Sequence, residues 1–191
     1  YEQSRDFIAT YINAATSAEI NFVRGTTEAL NLVAAGMAKE LKPGDEILIS
    51  TLEHHSNIVP WQMACEASGA TLKVIPINDA GELLMEEYDK LLTEYVKVVS
   101  CTYVSNALGT INPIKEIVAK AHAIGAKVFV DAAQAAPHKK IDVQDIDCDW
   151  LAFSGHKVFG PTGIGVLYGK TEVMNALSPY MGGGEMIDTV T

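Results

Sequence analysis

The sequence predicts an α/β fold: a mostly parallel seven-stranded sheet with one antiparallel strand and helices on both faces. Two observations carry this expectation. Strand-type and helix-type apolar patterns alternate along the chain, and strands joined by helices lie parallel in a sheet covered on both sides. The last two strand segments, 149–153 and 163–168, are separated by a connection too short for a helical crossover. That pair is therefore expected to be antiparallel.

The elements follow in order. Ile20-Asn-Phe-Val23 reads as a short strand, and residues 27–39 carry apolar side chains at Leu30, Val33, Ala34 and Met37, one face of a helix. Pro43-Gly44-Asp45 is a turn before the strand Glu46-Ile-Leu-Ile-Ser50. A helix over 58–67 stops at Gly69, and Thr71-Leu-Lys-Val-Ile-Pro76 is the next strand. A loop around Asn78-Asp-Ala-Gly81 leads to a helix over 85–92 and the strand Val96-Lys-Val-Val-Ser-Cys101. Pro113 opens a helix that ends near Gly125, since a proline at the first helical position loses no hydrogen bond. Lys127-Val-Phe-Val-Asp131 is a continuous apolar strand, and the two last strands flank a glycine-rich loop.

Composition narrows the function classes. The 191 residues suffice for one sizeable core, and no composition shift divides them. A net charge of −10 argues against nucleic acid and anionic membrane as partners. No apolar run reaches the length of a membrane span and no signal peptide is visible, which suits a cytoplasmic protein. Three cysteines without metal-ligand spacing read as reduced thiols, with no metal site expected. The first residue is Tyr1, so the chain is expected to start inside a longer protein.

The chemistry concentrates in Ser154-Gly155-His156-Lys157, followed by Gly160-Pro161-Thr162-Gly163. A lysine among small residues, an imidazole and a hydroxyl is placed to form a Schiff base, and the glycines let a bulky cofactor approach the backbone. Upstream, Asp131 and Gln134 follow the apolar strand Val128-Phe-Val. A lysine with a strand-end aspartate is the pair that pyridoxal phosphate (PLP) chemistry requires, the carboxylate keeping the pyridine nitrogen protonated. The competing reading of Asp131 is a helix N-cap, and of Gln134 a solvent-facing amide on a short helix. His54, Asn106, Asp131, Lys157 and the Gly25-Thr26-Thr27 turn all fall just beyond strand ends, the edge where open α/β sheets bind ligands. The turn opens a helix whose free N–H groups suit a phosphate, while Thr26 also suits an N-cap. Asn106 suits contact with a carboxylate or cofactor, or simply turn formation.

Six blocks extend these observations: Arg24-Gly-Thr-Thr-Glu-Ala-Leu-Asn31, Glu53-His-His-Ser-Asn-Ile-Val-Pro-Trp61, Val104-Ser-Asn-Ala-Leu-Gly-Thr110, Asp131-Ala-Ala-Gln134, Ser154-Gly-His-Lys-Val-Phe-Gly-Pro-Thr-Gly-Ile-Gly165 and Gly182-Gly-Gly-Glu-Met-Ile187. In order and spacing they resemble the class V aminotransferase family, most closely its SufS-type cysteine desulfurases. The resemblance implies the large domain of a PLP-dependent transferase (aspartate aminotransferase-like, fold type I). It implies that Lys157 binds the cofactor and moves the α-proton, Asp131 pairs with the pyridine nitrogen, and Gln134 faces the phenolic oxygen. His54 would stack on the ring and shuttle protons, with His55 a satisfied structural histidine. Thr26, Thr27, Ser154 and His156 would contact the phosphate.

The activity implied is removal of sulfur from L-cysteine, giving L-alanine and an enzyme persulfide for iron–sulfur cluster assembly. L-selenocysteine is an alternative substrate, a sulfur-acceptor protein a partner, and a homodimer the expected assembly. Two departures stand out. None of Cys65, Cys101 and Cys148 occupies the family's nucleophile loop, and neither arginine, Arg5 or Arg24, matches the one that clamps the substrate carboxylate. Residues 1–191 are therefore expected to be a PLP-binding large domain lacking a small C-terminal domain, inactive in full turnover. The alternatives are another class V enzyme (a selenocysteine lyase, kynureninase-like hydrolase or aminotransferase) or a non-catalytic binding module of the same fold.

Overall fold

The computed structural model describes residues 1–183; Gly184-Glu-Met-Ile187 of the sixth block lies outside them. Seven strands form one sheet: β1 (Ile20–Val23), β2 (Glu46–Ser50), β3 (Thr71–Ile75), β4 (Val96–Thr102), β5 (Lys127–Asp131), β6 (Trp150–Ser154) and β7 (Gly165–Gly169). Their spatial order is β1-β7-β6-β5-β4-β2-β3. Only β7 runs antiparallel, to both β6 and β1, and every other pair is parallel. The sheet therefore matches the expected mostly parallel architecture, including the antiparallel pair at the short β6–β7 connection.

The helices are α1 (Glu2–Ile12), α2 (Thr26–Met37), α3 (Val59–Ser68), α4 (Met85–Leu91), α5 (Ile114–Ala123), α6 (Val143–Ile146) and α7 (Thr171–Ala176). Alternate strand residues feed two cores, as the period of two requires. Leu48, Val99, Val128, Val130, Leu151 and Phe153 pack on one face with Ile12, Tyr88, Ile117 and Ile146 from α1, α4, α5 and α6. Ile47, Ile49, Val98, Phe129, Trp150 and Leu167 pack on the other with Leu30, Val33, Trp61 and Val173 from α2, α3 and α7. Both faces are covered, which is why β5 and β6 read as unbroken apolar runs.

Local signals place most helix ends. Gly69 closes α3 in the left-handed conformation at φ 78°, where a Cβ would be strained. Pro113 stands one position outside α5 as its N-cap. After Asp131 the short helix of the competing reading does not form. Residues 133–138 make successive turns, because Pro137 has no N–H to continue a helical ladder. Helices α1, α6 and α7 lie where the sequence pattern assigns no element; α1 buries only Ala9 and Ile12 and leaves Phe7 70% exposed.

One close approach positions the site. A Cβ on Gly165, the first residue of β7, would stand 2.6 Å from Gly25 Cα and 2.8 Å from Phe153 O. Glycine at 165 lets the turn that opens α2 press against the β6–β7 pair, bringing the helix N-terminus beside the end of β6.

Candidate active site

At the carboxyl ends of β2, β4, β5 and β6 lies a cleft of about 240 Å³. Thr26, Thr27, His54, Asn106, Asp131, Gln134, Ser154, His156 and Lys157 all line it, with Ser56, Thr102 and Ala133 completing the wall. The nine residues singled out in the sequence are thus gathered from five separate segments into one site.

Asp131 ends β5 and is only 3% exposed. Its Oδ1 accepts the Ala133 N–H at 2.8 Å. Burial pushes its pKa up, opposed by that hydrogen bond and by the neighbouring Lys157 and His54. Asp131 caps the turn after β5, so the capping and cleft-lining roles coexist. Lys157 sits half-buried on the 3-10 turn Gly155–Val158, which Phe159 terminates in the left-handed region at φ 65°.

Ser154, the last residue of β6, links the lysine turn to α2. Its Oγ accepts the Thr26 N–H at 3.0 Å and shares a 2.9 Å hydrogen bond with the Thr26 hydroxyl. This corrects the reading of Thr26 as an N-cap: Gly25 is the N-cap and Thr26 is the first helical residue. Thr27 is exposed at the cleft, in the first turn where amides have no helical acceptor. The carboxylate of Glu28 is turned back to Arg24, accepting its N–H at 2.6 Å and pairing with its guanidinium at 2.8 Å.

His54 precedes the 3-10 turn His55–Asn57. Its Nδ1 lies 2.8 Å from Ser56 Oγ and accepts the Ser56 N–H at 3.2 Å, so in the neutral ring the proton sits on Nε2. His55, expected as a satisfied structural histidine, is exposed, with its ring edge-on to His54 at 6.0 Å. Its position at the start of a turn places it outside the packed face of α3. The turn at Asn106 is held by Ser105, whose Oγ accepts the Ala107 and Leu108 N–H groups at 3.3 and 3.2 Å. Asn106 is therefore not the residue that builds the turn.

The cysteines are all free and buried. Burial pushes the Cys65, Cys101 and Cys148 thiols up, Cys101 and Cys148 strongly. For Cys148 the acidic neighbours Asp149 and Asp147 only add to that dominant effect. A thiol held protonated is a poor nucleophile. Sequence reasoning gave no role to Ser56, Thr102 or Glu53. The one local signal was an acid at 53 next to Leu52, in a loop that otherwise carries no charge of fixed sign.

Comparison with known proteins adds to this geometry. A model of the family described as aminotransferase class-V matches residues 1–191. The chain belongs to the class-V aminotransferase family. Within that family it is 56% identical over 192 residues to a cysteine desulfurase of Synechococcus elongatus, across 100% of this chain and 31% of that protein. It matches the solved structure of the cysteine desulfurase CsdA from Escherichia coli with a TM-score of 0.96 and 42% identity, over 100% of this chain and 48% of that one. A C-DES variant with glycine covalently linked to its PLP cofactor matches with a TM-score of 0.83 and 25% identity, over 93% of this chain and 47% of that one. The chain thus spans half or less of each relative's length. Among the described residues no helix is long and apolar enough to cross a membrane.

Proposed function

We propose that residues 1–191 form the cofactor-binding large domain of a PLP-dependent cysteine desulfurase. One observation carries the reading: a buried carboxylate, a half-buried primary amine and a helix N-terminus rich in hydroxyls converge on a single cleft. That donor set fits PLP, which has an aldehyde for the amine, a pyridine nitrogen for the carboxylate and a phosphate for the helix end.

When bound, PLP supplies an electron sink for the charge left by removal of a substrate α-proton. Lys157 would hold the aldehyde carbon and, once displaced by the substrate amine, its own free amine would take the α-proton. Asp131 would keep the pyridine nitrogen protonated; the low-dielectric surroundings that raise its own pKa also strengthen that charge pair. His54, with Nδ1 held by Ser56, would present Nε2–H for ring contact and proton transfer. Gln134 would face the phenolic oxygen. Thr26, Thr27, Ser154 and His156 would bind the phosphate, and Asn106 the substrate carboxylate or the cofactor.

The substrate in this reading is L-cysteine, with L-selenocysteine as the alternative, and the products are L-alanine and sulfur bound to a cysteine thiol. That thiol is not Cys65, Cys101 or Cys148, because all three are buried and held protonated. We place it, with the arginine that binds the substrate carboxylate, outside this stretch. The resemblance to the desulfurases extends the proposal to a cytoplasmic homodimer that delivers sulfur to an acceptor protein for iron–sulfur cluster assembly. Borohydride reduction of the PLP-loaded chain, followed by peptide mapping, should place the pyridoxyl group on the peptide containing Lys157. Labelling of another lysine, or of none, would overturn the assignment.

A further inference from the structure

Glu53 does not line the cleft, yet it stands behind the wall formed by His54, Ser56 and Thr102, only 8% exposed. Its Oε1 accepts the Thr102 N–H at 3.0 Å and makes a very short contact with the Ser50 hydroxyl. Its Oε2 accepts from Asn57 Nδ2 at 2.5 Å. These partners are the last residue of β2, the last residue of β4 and the end of the 3-10 turn. The last register pair between β2 and β4 is Ile49↔Ser100. Beyond it, the Glu53 carboxyl takes the place of a strand partner for Thr102.

Two consequences reach the cleft. His54 rides on the loop between Ser50 and Asn57, and Glu53 ties both ends of that loop. Thr102 is in register with Asp131, and the next N–H, of Tyr103, donates to Asp131 O at 2.9 Å. Asn57 is fully buried, and its Oδ1 accepts from Trp61 Nε1 at 3.0 Å and Ser100 Oγ at 2.5 Å. Its amide cannot be reversed, so Nδ2 must face an acceptor at position 53. An apolar side chain would fill the same space but leave three buried donors, of Ser50, Asn57 and Thr102, without that acceptor.

We propose that Glu53 is a positioning residue of the cofactor site, acting through His54 on one side and through the β4–β5 pair on the other to set where the imidazole and the Asp131 carboxylate stand. The inference rests on reading the cleft as a PLP site.

The test uses the full chain loaded with PLP. It reads cofactor affinity and the visible circular dichroism of the bound cofactor, a signal that comes from the chromophore's asymmetric surroundings and not from global stability. Glu53→Gln keeps the shape but sets Nε2 against Asn57 Nδ2, donor against donor. PLP affinity should fall about tenfold, the equivalent of one lost hydrogen bond, and the visible signal should change while far-ultraviolet circular dichroism does not. Adding Asn57→Asp gives the new amide a carboxylate acceptor that can still serve Trp61 and Ser100. The double variant should regain affinity to within roughly threefold and recover the visible signal. Unchanged affinity and signal in Glu53→Gln would overturn the proposal. So would a folded double variant that recovers neither, which also decides the matter if the single variant fails to fold. If the unmodified chain shows no bound-cofactor band, the PLP reading itself falls and this inference with it; failure confined to the variants refutes only the role of Glu53.

Discussion

Raising the pH from 5 to 8 should destabilise this chain, and Glu53→Gln should remove most of that dependence. Glu53 is held at about 7, against its ordinary 4.5, because burial penalises the carboxylate. The nearby charge of Asp131 pushes the same way, while hydrogen bonds from Ser50, Thr102 and Asn57 pull back. A folded value above the unfolded one means that the native state keeps a proton that the unfolded chain releases. Stability therefore falls as pH rises from 4.5 to 7 and levels off above that window. At about 1.4 kcal/mol per pH unit, the gap amounts to about 3 kcal/mol, a large share of the ~5–15 kcal/mol that holds a domain folded. Asp131, also pushed up by burial, adds in the same direction. Asp142 and Asp147 are pushed down, so their contributions are complete above their ordinary 3.8 and stay constant across the range. Urea unfolding at half-unit pH steps measures the effect. Glu53→Gln should start about 1–2 kcal/mol below the unmodified chain at pH 5, from its clash with Asn57, and end above it at pH 8. Parallel stability curves for the two proteins would refute the reasoning, because the titrating group would then lie elsewhere.

Three further outcomes are expected. Ser154→Ala strands the buried N–H and hydroxyl of Thr26 and should cost about 2–3 kcal/mol in urea unfolding without PLP; a loss under about 0.5 kcal/mol would mean that the Ser154–Thr26 link holds nothing. Asp131→Asn should leave far-ultraviolet circular dichroism unchanged but slow exchange of a bound amino acid's α-proton with solvent deuterium by about tenfold or more, and an unchanged rate would remove Asp131 from the pyridine nitrogen. Cys65, Cys101 and Cys148 should resist a thiol reagent until denaturant is added, and the PLP-supplied chain should release no alanine from L-cysteine; rapid labelling together with turnover would bring Cys101, whose thiol feels the charges of Glu53 and Asp131, back as the nucleophile.

The sequence by itself determined the alternation of strands and helices and the antiparallel β6–β7 pair, and its motifs, with the family resemblance they carry, picked out nine of the twelve residues that line the cleft. Each of these is written locally. Apolar periodicity reports which face of an element is buried, a ten-residue connection cannot hold a crossover helix, and a motif keeps its chemistry within a few positions of a strand end. Helices α6 and α7 escaped because they span only four and six residues, and α1 because its apolar side chains are few and only Ala9 and Ile12 are buried, so each owes its stability to what it packs against. The spatial order of the strands was decided only by the tertiary structure, with β1 from near the start of the chain paired to β7 from near its end. The Ser154–Thr26 link, which moved the N-cap to Gly25, joins residues 128 positions apart. The same holds for the acid at 53, which in sequence opens a motif block beside two histidines but carries no role of its own. Its role exists only where the ends of β2 and β4 meet, since a buried donor must find its acceptor in space and the chain's order places no constraint on how far away that acceptor is encoded.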